Sequence, residues 1–236
     1  MNLLKRVVPQ LIMISLVCLI AIIGYFNTDI IGANAGVDMS HTIIIDAGHG
    51  GFDGGASAAD GTVEKDINLQ ISQKVCAMLR INGYNVIMTR DSDTGTEDDQ
   101  NVSIPKRKKS DLSNRLQLMK QNPDAVFISI HLNKFTTSAA NGAQVFYTKN
   151  YPEAYNLANS IQKSIIMQIQ PENTRVVKQG NSSTYLLKNA TVPAIIVECG
   201  FLSNNKDLEK LKDDDYQTQM AFAITSGTIN YFKLKE

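Results

Sequence analysis

The amino-acid sequence predicts an α/β fold: a single twisted, mostly parallel sheet with helices on both faces. Two observations carry this. The apolar runs at residues 42–45 and 194–197 lack the in–out alternation of a one-sided sheet, so both of their faces should be covered. Between such runs lie segments with apolar residues at helical spacing, and strands that alternate with helices indicate parallel pairing.

Thr42-Ile43-Ile44-Ile45 predicts the first strand, and a glycine-rich loop follows it. Ile67, Ile71, Val75, Met78 and Leu79 place a helix over residues 65–81, with Gly83 as its stop. Residues 84–88 are a second strand. Residues 90–110 are polar and charged, without apolar periodicity, and read as an inserted, mobile loop. A helix is expected at 112–120, ended by Pro123, then a strand at 125–130. Another strand at 143–148, a helix at 151–169 and a short strand at 185–187 come next, then the strand at 194–197 and a last helix at 217–232.

The 236 residues suffice for one domain plus an extension. With 43% hydrophobic and 19% charged residues the composition is globular. Basic and acidic residues balance at 23 each, which speaks against a general nucleic-acid binder. The three cysteines, Cys18, Cys76 and Cys199, form no CxxC pair, so no disulfide framework is expected. Cys76 and Cys199 read as buried thiols.

Lys5 and Arg6 give the chain a positive start, and residues 7–28 carry no charge. A helix of that length is long enough to cross about 30 Å of hydrocarbon, although Pro9 disfavours an unbroken one. Ala33-Asn34-Ala35 offers small residues at signal-peptidase spacing. A cleaved signal peptide and a retained membrane anchor both imply export. Residues 1–40 are therefore set apart as that segment with its linker, and 41–236 as the folded domain.

Ligands of open α/β sheets bind outside the carboxyl ends of the strands. Three strands here run into unusual residues: Asp46-Ala47-Gly48-His49, Ile130-His131-Leu132-Asn133 and Val197-Glu198-Cys199-Gly200. Two of the chain's three histidines thus reach one sheet edge. A catalytic zinc needs three protein ligands and an open position, and two imidazoles with a carboxylate meet that need. Glu64 opens the helix after the glycine-rich loop, where it either completes such a set or complements the helix dipole. The loop lacks the GK[ST] and GxGxxG patterns of phosphate-binding loops. Glu198 lies in an apolar strand, where a carboxylate is costly unless paired or protonated, and this favours a functional role. Asn133 and Gln179-Gly180-Asn181 are candidate substrate contacts, with ordinary loop polarity as the alternative. Lys106-Arg107-Lys108-Lys109 is either a solvated face or a contact for an anionic polymer or a partner.

The run Asp46-Ala47-Gly48-His49-Gly50-Gly51-Phe52-Asp53-Gly54-Gly55-Ala56 resembles the opening motif of the zinc N-acetylmuramoyl-L-alanine amidases of the Amidase_3 type. Glu64-Lys65-Asp66-Ile67-Asn68-Leu69, Ser129-Ile130-His131-Leu132-Asn133 and Val197-Glu198-Cys199-Gly200-Phe201-Leu202-Ser203-Asn204 agree in order, and Thr89-Arg90 and Arg115 also fall where that family has them. The resemblance covers His41 to the C-terminus. It implies Zn2+ held by His49, Glu64 and His131, with Glu198 as the catalytic carboxylate. The reaction implied is hydrolysis of the amide between muramic acid and L-alanine, on peptidoglycan glycan strands bearing stem peptides. An export segment followed by a bare catalytic domain resembles the germination subgroup of endospore formers, which acts in spore cortex towards muramic-δ-lactam. That places the domain outside the cytoplasmic membrane, in the forespore intermembrane space or cortex, with an accessory protein as a possible partner. Leu132 and Lys134 depart from the smaller residues often found beside Asn133 in the family. The rival readings are another zinc peptidoglycan peptidase and a weak wall-binding protein that needs an accessory partner.

Overall fold

The computed structural model describes residues 41–181 and 184–234. The expected export segment at 1–40 lies outside them. No helix of the described residues is long and apolar enough to cross a membrane.

Six strands form one sheet: β1 (Thr42–Ala47), β2 (Asn85–Met88), β3 (Val126–Asn133), β4 (Gln144–Tyr147), β5 (Lys178–Gln179) and β6 (Ala194–Phe201), in the order β2-β1-β3-β6-β4-β5. β2, β1, β3 and β6 run parallel, β4 is antiparallel to β6, and β5 is parallel to β4. The expected α/β fold is present, with a mixed sheet that is mostly parallel. Six helices are described: α1 (Glu64–Ile81), α2 (Ile104–Gln121), α3 (Glu153–Gln168), α4 (Tyr185–Asn189), α5 (Asn205–Lys212) and α6 (Asp214–Lys233).

Pleating divides the core. Ile43, Ile45, Ile128, Ile130, Ile195 and Val197 pack into the larger cluster, with α1, α3 and α6. Their strand neighbours Ile44, Phe127 and Ile196 face a smaller cluster covered by α2 and α4, with Leu116, Met119, Leu186 and Leu187. Cys76 and Cys199 are both buried in the larger cluster, and burial pushes both thiols up from their ordinary values. Cys199 therefore faces the side of the sheet covered by α1, α3 and α6.

Two local expectations are corrected. Residues 185–187 form the start of helix α4 and no strand. Leu186 and Leu187 are both buried in the same cluster, which successive strand residues, pointing to opposite faces, cannot do. Helix α2 starts at Ile104, eight residues before its expected start at 112. Ser103 precedes it and Pro105 stands in its first turn, where the lost N–H costs nothing. Most residues of 90–110 are exposed, and several of the others are held by contacts with α2. Thr96 N and Oγ1 donate to Asp111 Oδ1 at 2.7 and 2.8 Å, and Arg107 pairs with the buried carboxylate of Glu97 at 2.6 Å.

Candidate metal centre

The loop after β1 is shaped by its backbone. His49 has φ +62°, a left-handed conformation that few residues with a side chain adopt. Gly50 and Asp53 exchange backbone hydrogen bonds of 2.9 and 3.1 Å, which close the turn behind it. Two arginines hold the loop's carbonyl oxygens. Arg90, 4% exposed, donates to Ala47 O, Gly48 O and Lys65 O. Arg115, 2% exposed, donates to Ala47 O at 3.0 Å and His49 O at 2.7 Å. Arg115 also pairs with Asp46, which accepts from Ser129 and Thr89 as well. Burial alone would raise the Asp46 carboxyl, but Arg115 and these hydroxyls hold it below its usual range. Gly48 has no room for a side chain, since a Cβ there would overlap the His131 ring.

His49, Glu64 and His131 come together, and their ligand atoms all lie within 4.8 Å of one another. His131 Nδ1 is 2.9 Å from Glu64 Oε1, and His49 Nε2 is 3.3 Å from the same oxygen. Glu64 is oriented by Ala56 N on Oε2 at 2.9 Å and by Leu132 N on Oε1 at 3.1 Å. A Cβ on Gly55, which has φ +71°, would lie 2.6 Å from both Glu64 Oε2 and the His49 ring. The loop can close over the triad only because that position is glycine. Asp53 Oδ2 accepts from His49 Nδ1 at 3.0 Å, which leaves Nε2 unprotonated in the neutral ring and turned to Glu64. Two imidazoles and a carboxylate, with His49 and Glu64 each oriented by further hydrogen bonds, fit a divalent ion of zinc-like softness.

The same proximity perturbs titration. Burial would lower the His49 ring, but hydrogen bonds to Asp53 and Glu64 outweigh it and push its pKa up to about 9. Burial would raise Glu64, but His131 and His49 hold it well below the usual carboxylate range. In the metal-free site a proton takes the place of the ion's charge.

Glu198 is paired in register with His131, near the end of β6, on the face of the smaller cluster. β3 and β6 both extend past the ends read from the sequence, so these two residues stand inside the last strand turns. Burial pushes the Glu198 pKa up to about 7. Its Oε2 is buried without a hydrogen-bond partner among the described residues. A buried, unpartnered carboxyl with a raised pKa, beside a convergent triad, has the chemistry of a group that can exchange a proton near neutral pH. Asn133 sits one step further along β3, opposite Phe201 across a bulge. Gln179, Gly180 and Asn181 are not brought to this site. They line a separate cavity with Thr148 and Leu187, because β4 and β5 run against β6 and carry them towards its opposite end.

Asp53, Asp46 and Asn68 were not singled out in the sequence. Asn68 donates to Gly48 O at 3.2 Å and to Glu64 Oε1 at 3.3 Å. Its place one helical turn after Glu64 was the available signal. The basic run lies at the start of α2, and half of it touches the metal loop: Arg107 stacks over Phe52 at 4.0 Å, and Lys108 pairs with Asp53 at 3.2 Å. His49, His131, Lys108, Leu112 and Leu186 bound a small cleft between that loop and the helices α2 and α4.

The Amidase_3 family model, described as N-acetylmuramoyl-L-alanine amidase, matches residues 43–230. A germination-specific N-acetylmuramoyl-L-alanine amidase of Bacillus subtilis is 36% identical over 193 residues, covering 82% of this chain and 80% of that protein. Among solved structures, the CwlD amidase of Clostridioides difficile in complex with the GerS lipoprotein is similar at TM-score 0.79 and 38% identity, over 82% of this chain and 99% of that one. The amidase AmiC2 of Nostoc punctiforme gives TM-score 0.69 at 30% identity, over 82% and 97% of the two chains.

Proposed function

Since this chain belongs to the Amidase_3 family and is an N-acetylmuramoyl-L-alanine amidase acting on peptidoglycan, we propose that it works with zinc held by His49, Glu64 and His131 and with Glu198 as its proton carrier. The observation that carries this reading is the triad's convergence beside the orphaned Oε2 of Glu198. Zinc, when bound, supplies a Lewis acid for the amide carbonyl and lowers the pKa of a water towards about 7. Glu198 takes the proton of the attacking water and delivers it to the nitrogen of the departing L-alanine. A carboxyl group pushed up to about 7 is suited to both steps near neutral pH. Asp53 keeps His49 in the tautomer that presents Nε2. Arg115 and Arg90 hold the loop that carries His49. Asn133, two residues beyond His131 on β3, is assigned as a substrate contact.

We further propose that the domain is exported, through residues 1–40, and acts in spore cortex as a step towards muramic-δ-lactam. The germination-specific name of the B. subtilis relative supports this. An accessory protein is part of the same reading, because the C. difficile relative was solved in complex with a lipoprotein. The test is metal analysis of the full chain, with mass analysis of purified glycan strands after digestion. Stem peptides released whole, with L-alanine at their N-terminus, are the expected product. Cleavage between two amino acids would replace this reading with that of a peptidase.

A further inference from the structure

Arg175 is held in place on the Glu198 side of the sheet without an ion pair to any described residue. Arg175 precedes β5, and its guanidinium is fixed on three sides. Nε donates to Asn141 O at 2.8 Å, Nη1 donates to Gln144 Oε1 at 3.0 Å, and the group lies over the Phe201 ring, 4.7 Å from its centroid. These contacts locate it relative to Glu198. Gln144 is the register partner of Glu198 across the β4–β6 pair. Two residues on, Phe146 packs into the smaller cluster, so Gln144 shares the face of Glu198. Phe201 lies beyond Glu198 on β6, opposite Asn133.

No carboxylate of the described residues forms an ion pair with Arg175. Asp207 is in the same neighbourhood, but its Oδ2 is taken by the backbone amides of Gly142 and Phe201 at 2.9 and 3.0 Å. Phe135, 50% exposed, meets Phe201 edge-on at 5.0 Å and adds an apolar wall. A half-buried guanidinium, held in place and unneutralised, has the donor geometry of a carboxylate receptor.

Building on the amidase reading, we propose that Arg175 forms a subsite for a carboxylate on the peptide side of the scissile amide. The enzyme then prefers stem peptides whose second residue carries a free carboxylate over those in which that group is a carboxamide. Phe135 flanks the bound peptide, and Phe201, buried beneath the guanidinium, holds Arg175 in place.

The test uses the zinc-loaded full chain and two glycan-strand substrates that differ only in that group. Wild-type kcat/KM should favour the carboxylate by about ten- to a hundredfold, the scale of a charged hydrogen bond, mostly through KM. In Arg175→Gln the preference should fall to near unity, and Arg175→Lys should keep part of it. A wild type that treats both substrates alike overturns the proposal, and so does an Arg175→Gln protein that still discriminates. If Arg175→Gln does not fold, as its melting will show, the wild-type comparison and Arg175→Lys decide. If zinc-loaded wild type hydrolyses neither substrate, the amidase reading is what fails. Competition binding of the two free peptides to wild type and Arg175→Gln then still reads the subsite.

Discussion

At the scale of single residues, the triad and Glu198 should fail in different ways. His131→Ala removes one of three ligands, and zinc content should drop. Glu198→Gln keeps size and hydrogen bonding but accepts no proton, so it should retain zinc and fold while turnover falls about 10²–10⁴-fold. Metal analysis beside turnover checks both, and near-normal turnover in Glu198→Gln would falsify the assigned role. Glu198 also gives a pH signature. Its carboxyl titrates at about 7 in the folded protein against an ordinary 4.5, so the metal-free fold is unpenalised below about 4.5 and loses stability as pH rises towards 7. Metal-free Glu198→Gln should therefore gain on wild type between pH 4 and pH 8, by of the order of 1–3 kcal/mol. Melting curves of the two proteins across that range test it, and a constant difference would count against the burial of an ionisable group there.

At the scale of elements, α2 matters because it links the sheet to the metal loop. Arg115 reaches from its middle to Asp46 in β1 and to the carbonyl of His49. Arg115→Ala would leave Asp46 buried and unpaired, at a cost of about 3–5 kcal/mol. Urea unfolding should show that loss, and chelator competition should show weaker zinc binding. A variant as stable as wild type would mean that Asp46 finds another partner. The start of this element was not legible in the sequence. The strands β1, β3 and β6 were readable because strands covered on both faces need continuous apolar runs, and His49, His131 and Glu198 interrupt the pattern where those runs end. The first turns of α2 carry the basic run, and the partners of Arg107 and Lys108 on the metal loop, Phe52 and Asp53, come from far along the chain. Local periodicity holds no trace of such contacts. The buried pair Leu186-Leu187 in α4 was too short a run to separate helix from strand.

At the scale of the molecule, bound metal should act as a stabiliser, since its ligands meet only in the native fold. An ion present at a hundred times its Kd would add about 2.7 kcal/mol, or roughly 5–10 °C in Tm for a domain of this size. Thermal melts with and without a chelator measure this, and identical curves would argue against occupation of the triad. The strand order β1-β3-β6 has a consequence for how the chain folds. These three neighbours are parallel, so each pairing closes a long crossover, and the site joins residues as distant as His49 and Glu198. Non-local parallel pairing is the slow part of folding, while helices form on their own within microseconds. In a refolding chain, uptake of zinc from a chromogenic chelator should therefore lag well behind the recovery of helical signal. The metal would time the docking of the last strands, and a chain stalled before that step would hold its helices but no ion.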